Sequence, residues 1–440
     1  MKRLLFAFVI LSLSLSGFGQ YSKVVAIGDS LTAGFMSGGL VETNQLNSYP
    51  ALVARQLGIS PFELPLISEP GLPALLELHG LLSETGQLSP TIEAITDDPT
   101  EWGVPLNLTL ARPYDNLGVP GATLNNCLNT ITDEGGMHDL ILRGLGTQVQ
   151  QALSLQPDLL LVWIGNNDAL GAALMGTAIP GVTLTPKDVF AAQYADLMDT
   201  LTAGSSADIV AGNIPDVTTL PFVTTVPPYL VNPSTGEAVI GPDGSPMTFL
   251  GQNDGGGIFI TPDTFVLLTA LDYIKMGYGI PATLGGTGIP LPAEVVLTPA
   301  ETATIQEYVA DFNNSIQAVA SSHGIPVYDF AALLELALHH GIEIAGMTFN
   351  TEFLTGGLFS YDGFHLTGLG YALAANAFIE AINDGYGHAI EPVPLSDYFF
   401  PPCCPHARSN SFDVEVHDLR ASILIMTQHC KNIKQYRELQ

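Results

Sequence analysis

The 440-residue chain holds only four cysteines, and Cys403, Cys404 and Cys430 all fall in its last forty residues. Cys127 stands alone in the body of the chain, so no disulfide framework carries the fold; a domain of this size does not need one. Basic residues are almost as scarce. Between Gln20 and Asp397 there are six (Lys23, Arg55, Arg112, Arg143, Lys187 and Lys275) against 39 acidic ones. So negative a surface repels phosphate backbones and anionic headgroups, which argues against nucleic acid as a partner. Solubility alone accounts for such acidity. After the first twenty residues, no stretch reaches the ~18 apolar residues that a membrane-spanning helix needs.

What is present divides the chain into three parts. The opening MKRLLFAFVILSLSLSGFGQ sets Lys2 and Arg3 before an apolar run and ends on Gly17-Phe18-Gly19. This predicts a signal peptide over residues 1–19 and a secreted or periplasmic protein. With no cysteine before Cys127, a lipid-modified N-terminal cysteine is excluded. Residues 398–440 differ abruptly in composition. Cys403, Cys404, His406 and Cys430 match no standard zinc spacing. This tail reads as a non-native or frame-shifted end, is set aside from the functional argument, and no metal is expected. The functional domain is expected over residues 20–397.

Within that domain, apolar strand-like runs alternate with helical patterns. Lys23–Asp29, Asp158–Gly165, Asp208–Ile214 and Ile325–Phe330 read as buried strands, with Asn116–Val119 a weaker fifth. Their continuous apolar character predicts a parallel sheet covered on both faces. Thr185-Pro186 and Thr298-Pro299 each place Thr at a helix cap, with an acid three residues on. A last helix is expected from about Thr367 to Asn383. The alternation predicts an α/β fold, a three-layer α/β/α sandwich around a mostly parallel five-stranded sheet. Ligands of such sheets bind at the carboxyl ends of the strands. Two stretches, about 59–113 and 215–297, are too long for plain loops and are expected as insertions, the second with a short helix in TFVLLTALDYI.

Ser30, in VVAIGDSLTAGF, follows the first strand where a helix should begin. A serine there is commonly only a helix cap. It is equally placed to be a nucleophile, with the helix N-terminus favouring a developing oxyanion. No G-x-S-x-G occurs in the chain, which counts against the α/β-hydrolase elbow. A serine nucleophile needs an oriented base. Asp362-Gly363-Phe364-His365 puts a carboxylate three residues before an imidazole, whereas His339, His340 and His388 lack such a companion and read as surface residues. Asn166-Asn167-Asp168 follows the strand DLLLVWIG, and Gly121 follows the weak strand; each could supply an oxyanion donor or simply close a turn.

In this order the blocks resemble the GDSL or SGNH hydrolase family. Gly28-Asp29-Ser30-Leu31 matches its first block, Gly165-Asn166-Asn167-Asp168 its G-x-N-D block, and Asp362 to His365 its D-x-x-H block. The resemblance implies a flavodoxin-like, SGNH-type fold and ester hydrolysis through an acyl-serine without metal or cofactor. It implies Ser30 as nucleophile, His365 as base and Asp362 as its orienting acid. The oxyanion donors would be the N–H groups of Ser30 and Gly121 and the side chain of Asn167; Gly118 is a rival to Gly121. Lipid or long-acyl esters are the first expectation for substrate, because the insertions are apolar and aromatic. Carbohydrate O-deacetylation is the alternative, and a non-catalytic exported binding protein on the same fold is the alternative of another class.

Overall fold

Four parallel strands organise the molecule, seen in a computed structural model that describes residues 21–399 except 83–87, 233–234 and 256. The expected signal peptide and all but the first two residues of the expected tail lie outside the described residues. Strands β1 (Val24–Gly28), β2 (Leu159–Trp163), β3 (Asp208–Gly212) and β4 (Val327–Tyr328) lie side by side in that order. Val24 sits opposite Leu159, and Leu159 opposite Asp208. Every residue of β1 and β2 is buried, as continuous apolar runs require when both faces are covered.

The fifth strand expected at Asn116–Val119 is not a full strand. It is one parallel bridge between Asn116 and Ala26, supported by backbone bonds from Leu117 N to Ala26 O and from Val119 N to Gly28 O. Pro113 and Pro120 bracket this segment, and neither has an N–H to extend a ladder. With it counted, the order is that of a doubly wound sheet, the second segment lying outside β1.

Helices cover both faces. Against one lie α1 (Ser30–Ala33), α2 (Tyr49–Gln56), and, later in the chain, the helices Phe330–His339 and Gly368–Tyr386. Their centre is the buried Trp163, whose ring meets Tyr49 at 5.5 Å and Phe330 at 4.7 Å. On the other face pack Gln148–Ser154, Lys187–Gly204 and Pro299–His323, pinned by Phe190 stacked on Phe312 at 4.0 Å. Burying an aromatic ring of this size stabilises by roughly 1.5–3 kcal/mol, so these clusters dominate the core.

Helix starts follow the sequence unevenly. Thr298 forms a complete capping box with Glu301. Thr185 does not cap; its hydroxyl donates to Asp168 Oδ1 at 2.6 Å, because a buried carboxylate is the stronger acceptor. His388, expected at the surface, hydrogen-bonds through Nε2 to Tyr21 Oη at 2.7 Å, and its side chain is only 4 % exposed.

The first insertion contributes an antiparallel hairpin, Leu76–Leu82 with Leu88–Ala94. The second builds its own small core from Val226, Phe249, Ile260 and Leu291. Its helix covers Ala270–Lys275 only, since Phe265–Val266 pairs instead with Val296–Leu297 as a short strand. Among the described residues, no helix is long and apolar enough to cross a membrane.

Candidate active site

The turn after β1 answers whether Ser30 is a cap. Asp29 is the cap: its Oδ1 accepts from Leu31 N at 3.0 Å, which makes Ser30 the first helical residue and frees its hydroxyl from capping. The turn is tight. A Cβ on Gly28 would lie 2.1 Å from Thr32 Oγ1 and 2.3 Å from Trp163 O, so only glycine lets helix and strand approach this closely.

Asp29 is fully buried and also accepts from Asn166 Nδ2 at 2.8 Å. Burial nevertheless pushes its carboxyl up to about 6, against the donors from Asn166 and Leu31. Asp168 is similarly raised to about 6 by burial, although Thr185 and Leu124 N donate to it.

The D-x-x-H block closes into the expected turn. His365 Nδ1 lies 2.9 Å from Asp362 Oδ2, and His365 N donates to Asp362 Oδ1 at 2.9 Å. Burial works to raise the Asp362 carboxyl, but the His365 charge and hydrogen bonds, with the N–H of Gly38, outweigh it and hold the group at about 2. A carboxylate only accepts, so Nδ1 keeps its proton whether the ring is charged or neutral, and in the neutral ring the lone pair falls on Nε2. The imidazole is held between the Phe35 ring at 4.7 Å and the Phe364 ring at 4.4 Å.

Support for this dyad comes from segments far away in sequence. Gly38 N donates to Asp362 Oδ2 at 2.9 Å, and Ser37 N to Ser360 Oγ at 2.9 Å. From the second insertion, Phe222 N donates to Gly363 O at 2.9 Å, and the Phe222 ring meets Phe364 edge-on at 5.7 Å. Sequence reasoning did not find these buttresses. The one local signal was the small-residue run Ser37-Gly38-Gly39, where Ser37 and Gly38 take positive φ.

Ser30, Asn166, Asn167 and His365 line one cavity of about 30 Å³, completed by apolar side chains that include Val217, Leu220 and Phe364. Asp362 stands behind His365. Gly121 is not in this lining; it precedes Ala122, whose carbonyl accepts from Asn167 Nδ2 at 2.9 Å. That bond uses one of the two Asn167 amide hydrogens and leaves the other. Gly121 has φ +80 and nothing within 4 Å of a notional Cβ, and its N–H donates to no acceptor among the described residues. Gly118 is unlike it: its N–H is committed to Asn116 Oδ1 at 3.0 Å, and the residue packs against Ala33 N. Asn166 is likewise committed, to Asp29. Among the described residues, no group of three or more His, Cys, Asp or Glu is placed to hold a metal ion.

A constellation of serine, histidine–aspartate pair and amide donors at strand ends is suited to acyl transfer. Comparisons with known proteins bear on the class. Among solved structures, the chain is similar to a lipase/acylhydrolase from Enterococcus faecalis (13 % identity, covering 84 % of this chain and 100 % of that one, TM-score 0.34). It is similar also to an acetylxylan esterase from Geobacillus stearothermophilus (13 %, 82 % and 94 %, 0.34) and to an extracellular lipase from Streptomyces rimosus (15 %, 83 % and 99 %, 0.33). No curated protein sequence matches the chain. The family model described as GDSL-like Lipase/Acylhydrolase matches residues 24–378, from the first residue of β1 into the last helix. The chain belongs to the GDSL-like lipase/acylhydrolase family and is a carboxylic ester hydrolase.

Proposed function

We propose that this protein is an exported serine esterase that works through an acyl-serine intermediate on Ser30. The observation that carries the reading is the meeting of Ser30, Asn167 and His365 on one cavity, with His365 fixed from behind by Asp362. His365 Nε2 takes the Ser30 proton as Oγ attacks the ester carbonyl carbon. The carbonyl oxygen becomes an oxyanion, received by the N–H groups of Ser30 and Gly121 and the second amide hydrogen of Asn167. Collapse breaks the bond to the alcohol, which leaves with the proton from His365. Water then adds to the acyl-serine, again giving its proton to Nε2, and the acid departs as Ser30 recovers its hydrogen. Asp362 holds the ring tautomer and stabilises the imidazolium in both halves. No cofactor enters these steps.

For the substrate, the expectation of a lipid or long-acyl ester stands beside that of an O-acetylated carbohydrate. The small cavity favours the short acyl group, and hence the second. Ser30→Ala and His365→Ala should each abolish hydrolysis of p-nitrophenyl acetate while the unfolding temperature changes little. Full activity in either variant would overturn the assignment.

A further inference from the structure

We propose that Val217 and Leu220 of the second insertion wall off an acyl pocket that admits an acetyl group and excludes longer chains. This inference rests on Ser30 being the nucleophile. The cavity at Ser30 holds about 30 Å³. An apolar cavity of about 150 Å³ takes up benzene, and pockets for drug-sized ligands run to roughly 300–1,000 Å³. The space beside Ser30 therefore suits a methyl-sized group. Its lining is mostly apolar, with Leu170 and Phe359 beside the insertion residues in it, so it suits the alkyl part of the acyl group and not a hydroxyl-rich alcohol.

The wall is pinned. Val217 is 1 % and Leu220 5 % exposed, and the polar side chains between them are bonded: Thr218 donates to Asp216 Oδ1 and Thr219 to Asp216 O, each at 2.7 Å. Asp216 caps the turn through Thr218 N at 2.9 Å, and its other oxygen accepts from Gln306 at 3.0 Å. Leu220 O accepts from Val223 N, and the next residue but one, Phe222, bonds both to Gly363 of the catalytic loop and to Leu268 N. A chain several carbons long would have to displace Leu220 against these bonds and against His365's own support. The same contacts explain why an insertion unrelated to the strand–helix repeat bears on the chemistry: it holds the catalytic loop with one residue and shapes the acyl pocket with its neighbours.

The test is kcat/KM for p-nitrophenyl acetate, butanoate and octanoate, measured on the parent protein, Leu220→Ala, Val217→Ala and Ser30→Ala. One methylene in a tight apolar site changes the rate about 10–200-fold. The parent should prefer acetate to butanoate by at least about tenfold, and octanoate should be poorest. Leu220→Ala should raise the butanoate-to-acetate ratio about tenfold, and Val217→Ala should move it the same way by less. Leu220→Val, one methylene smaller, reads the same ratio where alanine prevents folding. A parent that turns over octanoate as well as acetate overturns the pocket, as do variants that keep the parental ratio. Ser30→Ala separates the two claims. Loss of all three activities with a flat chain-length profile in the parent refutes the pocket alone, and retained activity refutes the nucleophile.

Discussion

Replacing Asp29 by asparagine should stabilise this protein at alkaline pH and do little at acid pH. Asp29 is wholly buried, and burial moves its carboxyl from 3.8 to about 6, with Asp168 adding to the rise and Asn166, Leu31 and His365 opposing it. Each unit corresponds to about 1.4 kcal/mol, so the ionised group burdens the native state by about 3 kcal/mol above neutral pH. Between about pH 6 and pH 4 the native carboxyl is protonated while the unfolded one is still ionised. The parent therefore gains stability as pH falls through that window. Asparagine keeps an oxygen for Leu31 N. Its new amide can donate to Asn166 Oδ1, which has no partner among the described residues of the parent, once the Asn166 amide turns over. Allowing for that rearrangement, Asp29→Asn should be more stable by about 1–3 kcal/mol at pH 8, and the gap should close by about pH 4. Urea unfolding at pH 8, 6 and 4 measures it. A variant less stable than the parent at pH 8, or a gap independent of pH, would refute the reasoning.

Other outcomes follow from the same contacts. Asn167→Ala should lower kcat by about 10²–10³ with a smaller change in KM, as expected for loss of one oxyanion donor in steady-state assays. Asn166→Ala should act first on stability, by about 1–3 kcal/mol in denaturant unfolding, because it leaves the buried Asp29 carboxylate short of a donor. Asp362→Asn should lower kcat by about 10⁴, since an amide can hold His365 in the wrong tautomer. The Asp362 carboxyl is lowered from 3.8 to about 2, so it contributes about 2 kcal/mol that is present above pH 4 and lost as pH falls towards 2. Acid unfolding followed by tryptophan fluorescence should show that loss in the parent and not in the variant.

The parts of the site that sequence makes legible are those set by local chemistry at strand ends and at one helix start. Asp-Ser and Asn-Asn-Asp each follow a buried apolar strand, and Asp-x-x-His makes a turn ahead of the last helix, so each has few ways to fold. The contacts that hold these parts together were not legible. Gly38 and Asp362 are 324 residues apart, and Asn166 and Asp29 are 137 apart. No periodicity links them, because they depend on which strand ends the sheet makes neighbours. Thr185 shows the same limit, since its local pattern signals a cap while a buried acceptor from a distant turn wins its hydroxyl. The second insertion was recognised as foreign to the repeat. Its core is built from irregular backbone with glycine and proline, and so it carries neither a period of 2 nor of 3.6 by which its fold could be read.

The central claim is that Ser30 forms a covalent acyl-enzyme. Treating the purified protein with a small fluorophosphonate and mapping its peptides by mass spectrometry tests it most directly. The expected result is a single adduct on the peptide containing Ser30, absent from Ser30→Ala and strongly slowed in His365→Ala, with loss of esterase activity in proportion to labelling. An adduct on another residue, or full activity in protein fully labelled at Ser30, would contradict it.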